Sequence, residues 1–200
     1  MAFPGGGSRV TTIAAVQGPS WVVVGYDSQV SEQDGRKYSL PDKLPKFFEV
    51  GNYLIGVAGD YRAVNILSHC FSPPLLESTV VGPELDRFMV SKFVPSLKKC
   101  LDANSYGKDD EQASLLMVVA NAVAYEIGSN YDCIRDSKGL YALGSGGSYA
   151  LGALYALNAD SDRRSLKSAE RHMNMALDAA VALDSGTSYP TYTVVSKREV

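Results

Sequence analysis

The chain is poor in residues that hold metals, with two histidines and three cysteines in 200 residues. His69 and His172 fall on predicted helices without a partner at ligand spacing, and they read as packing or surface residues. Cys70, Cys100 and Cys133 are widely separated and make no C-x-x-C pair, which excludes a zinc site or a disulfide framework. The odd count points to a reducing compartment, with Cys70 and Cys100 in or beside segments expected to be buried. Clustered basic charge is also missing. The 19 Lys and Arg are scattered among 22 Asp and Glu, a net charge of -3, so no surface is set up to neutralise phosphates and nucleic acid is set aside as a partner. Long apolar runs are absent as well. "SLLMVVANAVAYEIG" carries Asn121 in its middle and reads as two strands, and "MAFPGGGSRV" has no apolar signal region. A soluble cytoplasmic protein without membrane contact is expected.

What is present is enough apolar chain for a proper core, 46% hydrophobic against 20% charged. "TTIAAV" and "WVVVGY", joined by "QGPS", predict a hairpin. A polar, irregular piece from Asp27 to Lys43 follows, and then a second hairpin, "KFFEV" and "YLIGVAG" around "GN". Two consecutive helices are expected in "DYRAVNILSHCF" and "GPELDRFMVSKFVPSLKKCL", the second kinked at Pro95. "SLLMVVAN" and "VAYEIGSN" predict a third hairpin, and "GLYALGSGG" a strand ending in a glycine turn. Helical spacing returns from Ser148 to Ala159 and from Leu166 to Leu183, the latter presenting Met173, Met175, Ala176, Ala179, Ala180 and Leu183 on one face. "TYTVV" is the last strand. Hairpins rather than crossover units imply antiparallel sheets stacked with helices outside, an α+β architecture. Residues 1–10 read as a leader and 11–200 as a single domain.

Several short stretches carry candidate chemistry. "GSGGS" does not complete G-x-G-x-x-G, because Tyr149 stands at the last position, and no Lys follows as in a P-loop. It is not a nucleophile elbow either, since Ala150 replaces the second glycine after Ser148. The paired threonines of "TTIAAV", the aspartate ending "VVVGYD", the lysine in "PDKLPK", the Ala-Gly turn of "IGVAGDYRA" and the serine of "LGSGGS" form a more specific set. Asp184 and Thr187 near the end of the last helix complete it.

In these motifs and in element order from Thr11 onward the chain resembles the N-terminal-nucleophile hydrolases of the proteasome β-subunit type, and most closely the peptidase of the bacterial HslUV protease. The resemblance implies a four-layer αββα sandwich and a nucleophilic threonine followed by an aspartate sixteen residues on and a lysine thirty-two residues on. Counting from Thr11 reaches Asp27 and Lys43, whereas counting from Thr12 misses both by one. Thr11 is then the nucleophile and Thr12 its strand neighbour. By the same resemblance Gly59 is the oxyanion donor, Ser145 bonds near the nucleophile's amine, Asp184 and Thr187 support it, and Val57 lies at an apolar substrate pocket. Three positions depart from the pattern: Asp60 where a second glycine is usual, Ser188 where a glycine is usual, and Val10 in place of glycine before the threonine.

The chemistry fits the residue types. A threonine hydroxyl needs a base, and a free α-amine with a reference pKa of about 7.7–8.0 serves at neutral pH. That amine exists on Thr11 only after the bond from Val10 is cut. A lysine paired with a buried aspartate keeps the site electropositive. The resemblance implies no cofactor or metal, a homo-oligomeric ring, and protein or peptide substrates delivered by an ATPase unfoldase partner. A non-proteolytic ring protein that keeps its leader, and an amidase of small substrates, are the alternatives.

Overall fold

A computed structural model of the chain describes residues 11–31, 36–40, 46–107, 114–158 and 165–198. β1 (Ile13–Gln17) and β2 (Trp21–Asp27) form the first hairpin, with Ile13 opposite Tyr26 and Gln17 opposite Val22. The polar piece after it holds a short ribbon not foreseen from its composition, β3 (Gln29–Ser31) with β4 (Lys37–Ser39). β5 (Phe47–Val50) and β6 (Tyr53–Ala58) follow as expected, turning through Gly51 at φ 58°.

α1 (Tyr61–Cys70) begins at Asp60, whose carboxylate accepts the Arg62 N–H at 2.8 Å. The departure at Asp60 is thus a helix cap. The second helical stretch runs as α2 (Pro83–Phe88), a π-helical turn (Met89–Phe93) and α3 (Val94–Ala103). Pro95 has no N–H and its ring crowds the preceding turn. The ladder widens just before it, with the Val94 N–H bonded to the Met89 carbonyl five residues back. β7 (Leu115–Ala120) and β8 (Val123–Ile127) turn through Asn121 and Ala122, both at positive φ. A two-residue strand, β9 (Cys133–Ile134), also escaped the sequence pattern, being too short to show alternation. β10 (Leu140–Leu143), α4 (Gly147–Leu157), α5 (Leu166–Leu183) and β11 (Thr191–Lys197) complete the order.

The strands form two antiparallel sheets, β10-β1-β2-β11 and β5-β6-β7-β8-β9. Alternation along each strand explains the layers. On β1 and β2, Ile13, Ala15, Val22, Val24 and Tyr26 face the other sheet, while Ala14, Val16 and Val23 face Met173 and Leu177 of α5. On β6, Leu54 and Ala58 face the first sheet, while Tyr53, Ile55 and Val57 face α1 to α3. Strands buried on both faces cannot show polar alternation, so they read as unbroken apolar runs in the sequence. The architecture is a four-layer αββα sandwich.

Two details of the sequence reading change. Met175 and Leu183 are exposed rather than part of the buried face of α5, which is built from Ala169, Met173, Ala176, Leu177 and Ala180. Residues two apart on a helix point about 200° apart, so Met173 and Met175 cannot share a face. Cys70 is exposed, because the apolar stripe of α1 is carried by Ala63, Val64, Ile66 and Leu67, and Cys100 is half-buried beside the Val94, Leu97 and Leu101 face of α3. Among the described residues no helix is long and apolar enough to cross a membrane.

Phe93 locks the α1–α3 layer onto the second sheet. It is fully buried, with its ring 4.7 Å from Tyr53 and edge-on to Phe71 at 5.6 Å. Phe93→Ala is expected to cost about 3–5 kcal/mol in urea unfolding, with the slope of the transition unchanged.

Candidate active site

Thr11 and Thr12 immediately precede β1, and the register of β1 decides what surrounds them. Ile13 lies opposite Leu143 on one side and Tyr26 on the other, so the next step outward brings Thr12 beside Asp27 and beside the turn after β10. The Thr12 N–H donates to Asp27 Oδ1 at 2.8 Å, and the Asp27 N–H donates to the Thr12 carbonyl at 3.2 Å. Two glycines allow this approach. Gly144 has φ 93°, and a Cβ there would run into the Thr11 carbonyl. A Cβ on Gly146 would meet the hydroxyls of Thr12 and Thr187 and the carboxylate of Asp184.

Asp27 is fully buried and almost saturated with donors. Oδ1 takes the Thr12 N–H and Lys46 Nζ at 2.6 Å, while Oδ2 takes the Gln29 N–H at 2.9 Å and a longer contact from the Ser188 N–H at 3.4 Å. Lys46 is 2% exposed. Burial pushes its pKa below the ordinary 10.5, against the attraction first of Asp27 and then of Asp184. The expected lysine, Lys43, lies outside the described residues, and it is Lys46 that pairs with Asp27. Its signal in the sequence was its place directly before β5, whose first residue, Phe47, is buried. Spacing across a loop depends on loop length, whereas the start of a strand fixes a side chain in space.

The second carboxylate, Asp184, caps the C-terminus of α5. Its Oδ2 accepts the Ser145 hydroxyl at 2.7 Å and the Thr187 hydroxyl at 2.6 Å. The Ser145 oxygen in turn accepts from the Thr11 nitrogen at 3.3 Å, and Thr187 Oγ1 lies 2.6 Å from Thr12 Oγ1. The β3–β4 ribbon steadies this turn, since Gln29 Nε2 and Lys37 Nζ both donate to the Ser185 carbonyl, at 3.2 and 2.8 Å. Thr11, Thr12, Asp27, Ser145, Asp184 and Thr187 are therefore brought together from four separate parts of the chain.

Gly59 directly follows β6 at φ 144°, a conformation that favours glycine, and packs against Ser114. Ser114 Oγ accepts the next N–H, that of Asp60, at 3.2 Å and lies 2.8 Å from the Tyr106 hydroxyl. Val57 is buried in the core beneath α1 to α3. Among the described residues no cluster of three or more His, Cys, Asp and Glu could hold a metal ion. A cavity of about 380 Å³, lined by Glu49, Asn52, Asn121 and residues 194–198, lies at the opposite end of the sheets.

The fold has counterparts among solved structures. BPH from Thiobacillus denitrificans, solved in complex with epoxomicin, is 22% identical, with a TM-score of 0.74 over 95% of this chain and 100% of that one. A second BPH structure, at 21% identity, gives the same TM-score over 94% and 99%. The fold is proteasome-like. Eukaryotic HslV from Trypanosoma brucei, at 23% identity, matches 94% of this chain and 99% of its own with a TM-score of 0.63. No family model matches the sequence. In this proteasome-like fold the start of β1 lies where the two sheets meet the turns after β10 and α5, and both carboxylates converge there.

The buried pair has a measurable consequence. Lys46→Met leaves Asp27 charged and unpaired and is expected to cost about 3–5 kcal/mol in urea unfolding. Adding Asp27→Leu is expected not to restore stability, unlike the usual replacement of a buried ion pair by apolar residues. The Thr12 and Gln29 amides would then lose their acceptor, at about 1–3 kcal/mol each.

Proposed function

We propose that the protein is a threonine peptidase of the N-terminal-nucleophile type, armed when the Val10–Thr11 bond is cut. The observation that carries this reading is the convergence on Thr11 and Thr12 of two polar arms, Ser145–Asp184–Thr187, which runs from the surface to the buried Thr187, and the buried pair Asp27–Lys46. In maturation the Thr11 hydroxyl attacks the Val10 carbonyl to give an ester, and water hydrolyses it to a Val10 carboxylate and a free Thr11 amine. That amine then takes the hydroxyl proton as Thr11 Oγ1 attacks a substrate carbonyl, and it passes the proton to the departing amine. Water releases the acyl group in the same manner.

Ser145 and Asp184 orient the amine. The ammonium of Lys46, held by Asp27, favours the neutral amine and the developing alkoxide. A backbone N–H at the Gly59 turn is the donor assigned to the oxyanion, an interaction worth about 3 kcal/mol of barrier. The resemblance to HslV extends the proposal to a homo-oligomeric ring that receives protein or peptide substrates from an ATPase unfoldase. Exposed apolar side chains on the outer helices, among them Tyr149, Tyr155 and Leu183, suit burial between subunits.

Val10 favours a second reading. A β-branched residue stiffens the turn that must strain during cleavage, and a chain that keeps its leader would serve as a ring component without peptidase activity.

Intact mass and N-terminal sequencing separate the two. Under the peptidase reading purified protein begins at Thr11 and hydrolyses fluorogenic peptides with an apolar P1 residue, while Thr11→Ala keeps its leader and loses turnover. Epoxomicin, bound by BPH in one of the matched structures, is the inhibitor to apply, and it should stop wild-type hydrolysis. A full-length, inactive wild type overturns the peptidase reading.

A further inference from the structure

We propose that Thr12 is a positioning residue whose hydroxyl holds Thr187, and through it the Asp184 carboxylate, in place for Ser145 and the Thr11 nitrogen. The inference rests on the peptidase reading and assigns a role to a residue that the spacing argument had left as a strand neighbour.

A hydroxyl has one proton, and the distances decide where each one goes. Thr187 gives its proton to Asp184 Oδ2 at 2.6 Å. In its 2.6 Å contact with Thr12 the Thr187 oxygen must therefore accept, and Thr12 must donate. Ser145 likewise gives its proton to Asp184 Oδ2 at 2.7 Å, which leaves its oxygen to accept from the Thr11 nitrogen at 3.3 Å. The Ser145 and Thr187 protons thus go to one carboxylate oxygen, and the Thr12 proton goes to Thr187.

Thr12 is the fixed end of this relay. It is fully buried, and its backbone N–H is bonded to Asp27 Oδ1, the oxygen that also holds Lys46. Asp184 follows α5 in a turn, with its N–H bonded to the Ala180 carbonyl at 2.8 Å. Its carboxylate stays over Ser145 through the two hydroxyls that donate to it, and one of these is oriented by Thr12.

Without the Thr12 hydroxyl, Thr187 is free to rotate and Asp184 loses a donor. Ser145 can then turn its proton toward the Thr11 nitrogen. A freed amine whose lone pair is engaged by Ser145 is a poor acceptor for the nucleophile's proton. The loss falls on the chemical step, and Thr12, being buried, has no surface with which to bind substrate.

The test compares full-length wild type with Thr12→Val, of nearly the same shape, and Thr12→Ser, which keeps the hydroxyl. Leader release is read by mass, kcat and KM on a fluorogenic peptide, and crystal structures of wild type and Thr12→Val give the Ser145–Asp184 contact. Thr12→Val is expected to lower kcat about tenfold or more at a KM within about twofold, with Thr12→Ser recovering most of the loss. In the Thr12→Val crystal Ser145 should have left Asp184. If Thr12→Val does not fold, Thr12→Ala carries the same expectations.

Undiminished kcat in the valine variant overturns the proposal, as does an equal loss in valine and serine variants. If wild type itself neither matures nor hydrolyses peptide, the peptidase reading fails, and the crystal comparison decides the positioning role. A displaced Ser145 or Asp184 supports that role, and an unchanged network overturns it.

Discussion

The carboxylate of Asp27 is the interaction on which the rest of this structure depends. It has no exposed surface, so its charge persists only if nearby donors replace water. The closest of those donors come from three places: the Thr12 amide just before β1, the Gln29 amide at the start of β3, and Lys46 just before β5. Each adjoins or opens a different element, and one of these, β5, belongs to the other sheet. Satisfying one buried charge therefore fixes the edge at which the two sheets meet. It also holds the residues next to Thr11 in a single arrangement.

A second carboxylate plays a complementary part. Asp184 stands at the C-terminal end of α5, where the helix dipole disfavours negative charge, and beside the first residues of α4, where it is favoured. Hydroxyl donors from Ser145 and Thr187 complete its environment. Glycines at 144 and 146 let the turn after β10 press against β1 closely enough for these bonds to form. The site is thus a junction of loops braced on rigid strands, where bond directions matter more than the reach of any one side chain. The lowered pKa of Lys46 follows from its burial, which disfavours the charged ammonium by more than Asp27 and Asp184 favour it.

Much of the fold was legible in the residues. The three large hairpins and α5 were marked by turn glycines, β-branched runs and helical periodicity over long segments. β3, β4 and β9 were not, since strands of two or three residues in polar sequence have too few side chains to display a period. Thr11, Asp27, Ser145, Asp184 and Thr187 were named from motif and spacing, and they do converge. Lys46 carries no motif, and its only mark in the sequence is its place directly before β5, since loop length decides which lysine reaches Asp27. The role of Thr12 was invisible, since a hydrogen-bond direction depends on what every neighbour has already committed.

By itself the sequence determined the layers, because apolar runs bounded by glycine turns can be buried on both faces only between a second sheet and a helix layer. It also determined which residue types were at hand for chemistry. The tertiary structure decided which of them meet. The register of β1 against β2 and β10 set Thr12 beside Asp27 and the Gly144 turn, and the meeting of two sheets brought Lys46 to that same carboxylate. Contacts between residues far apart in the chain follow from strand pairing and packing, and one buried charge admits only the arrangement that satisfies it.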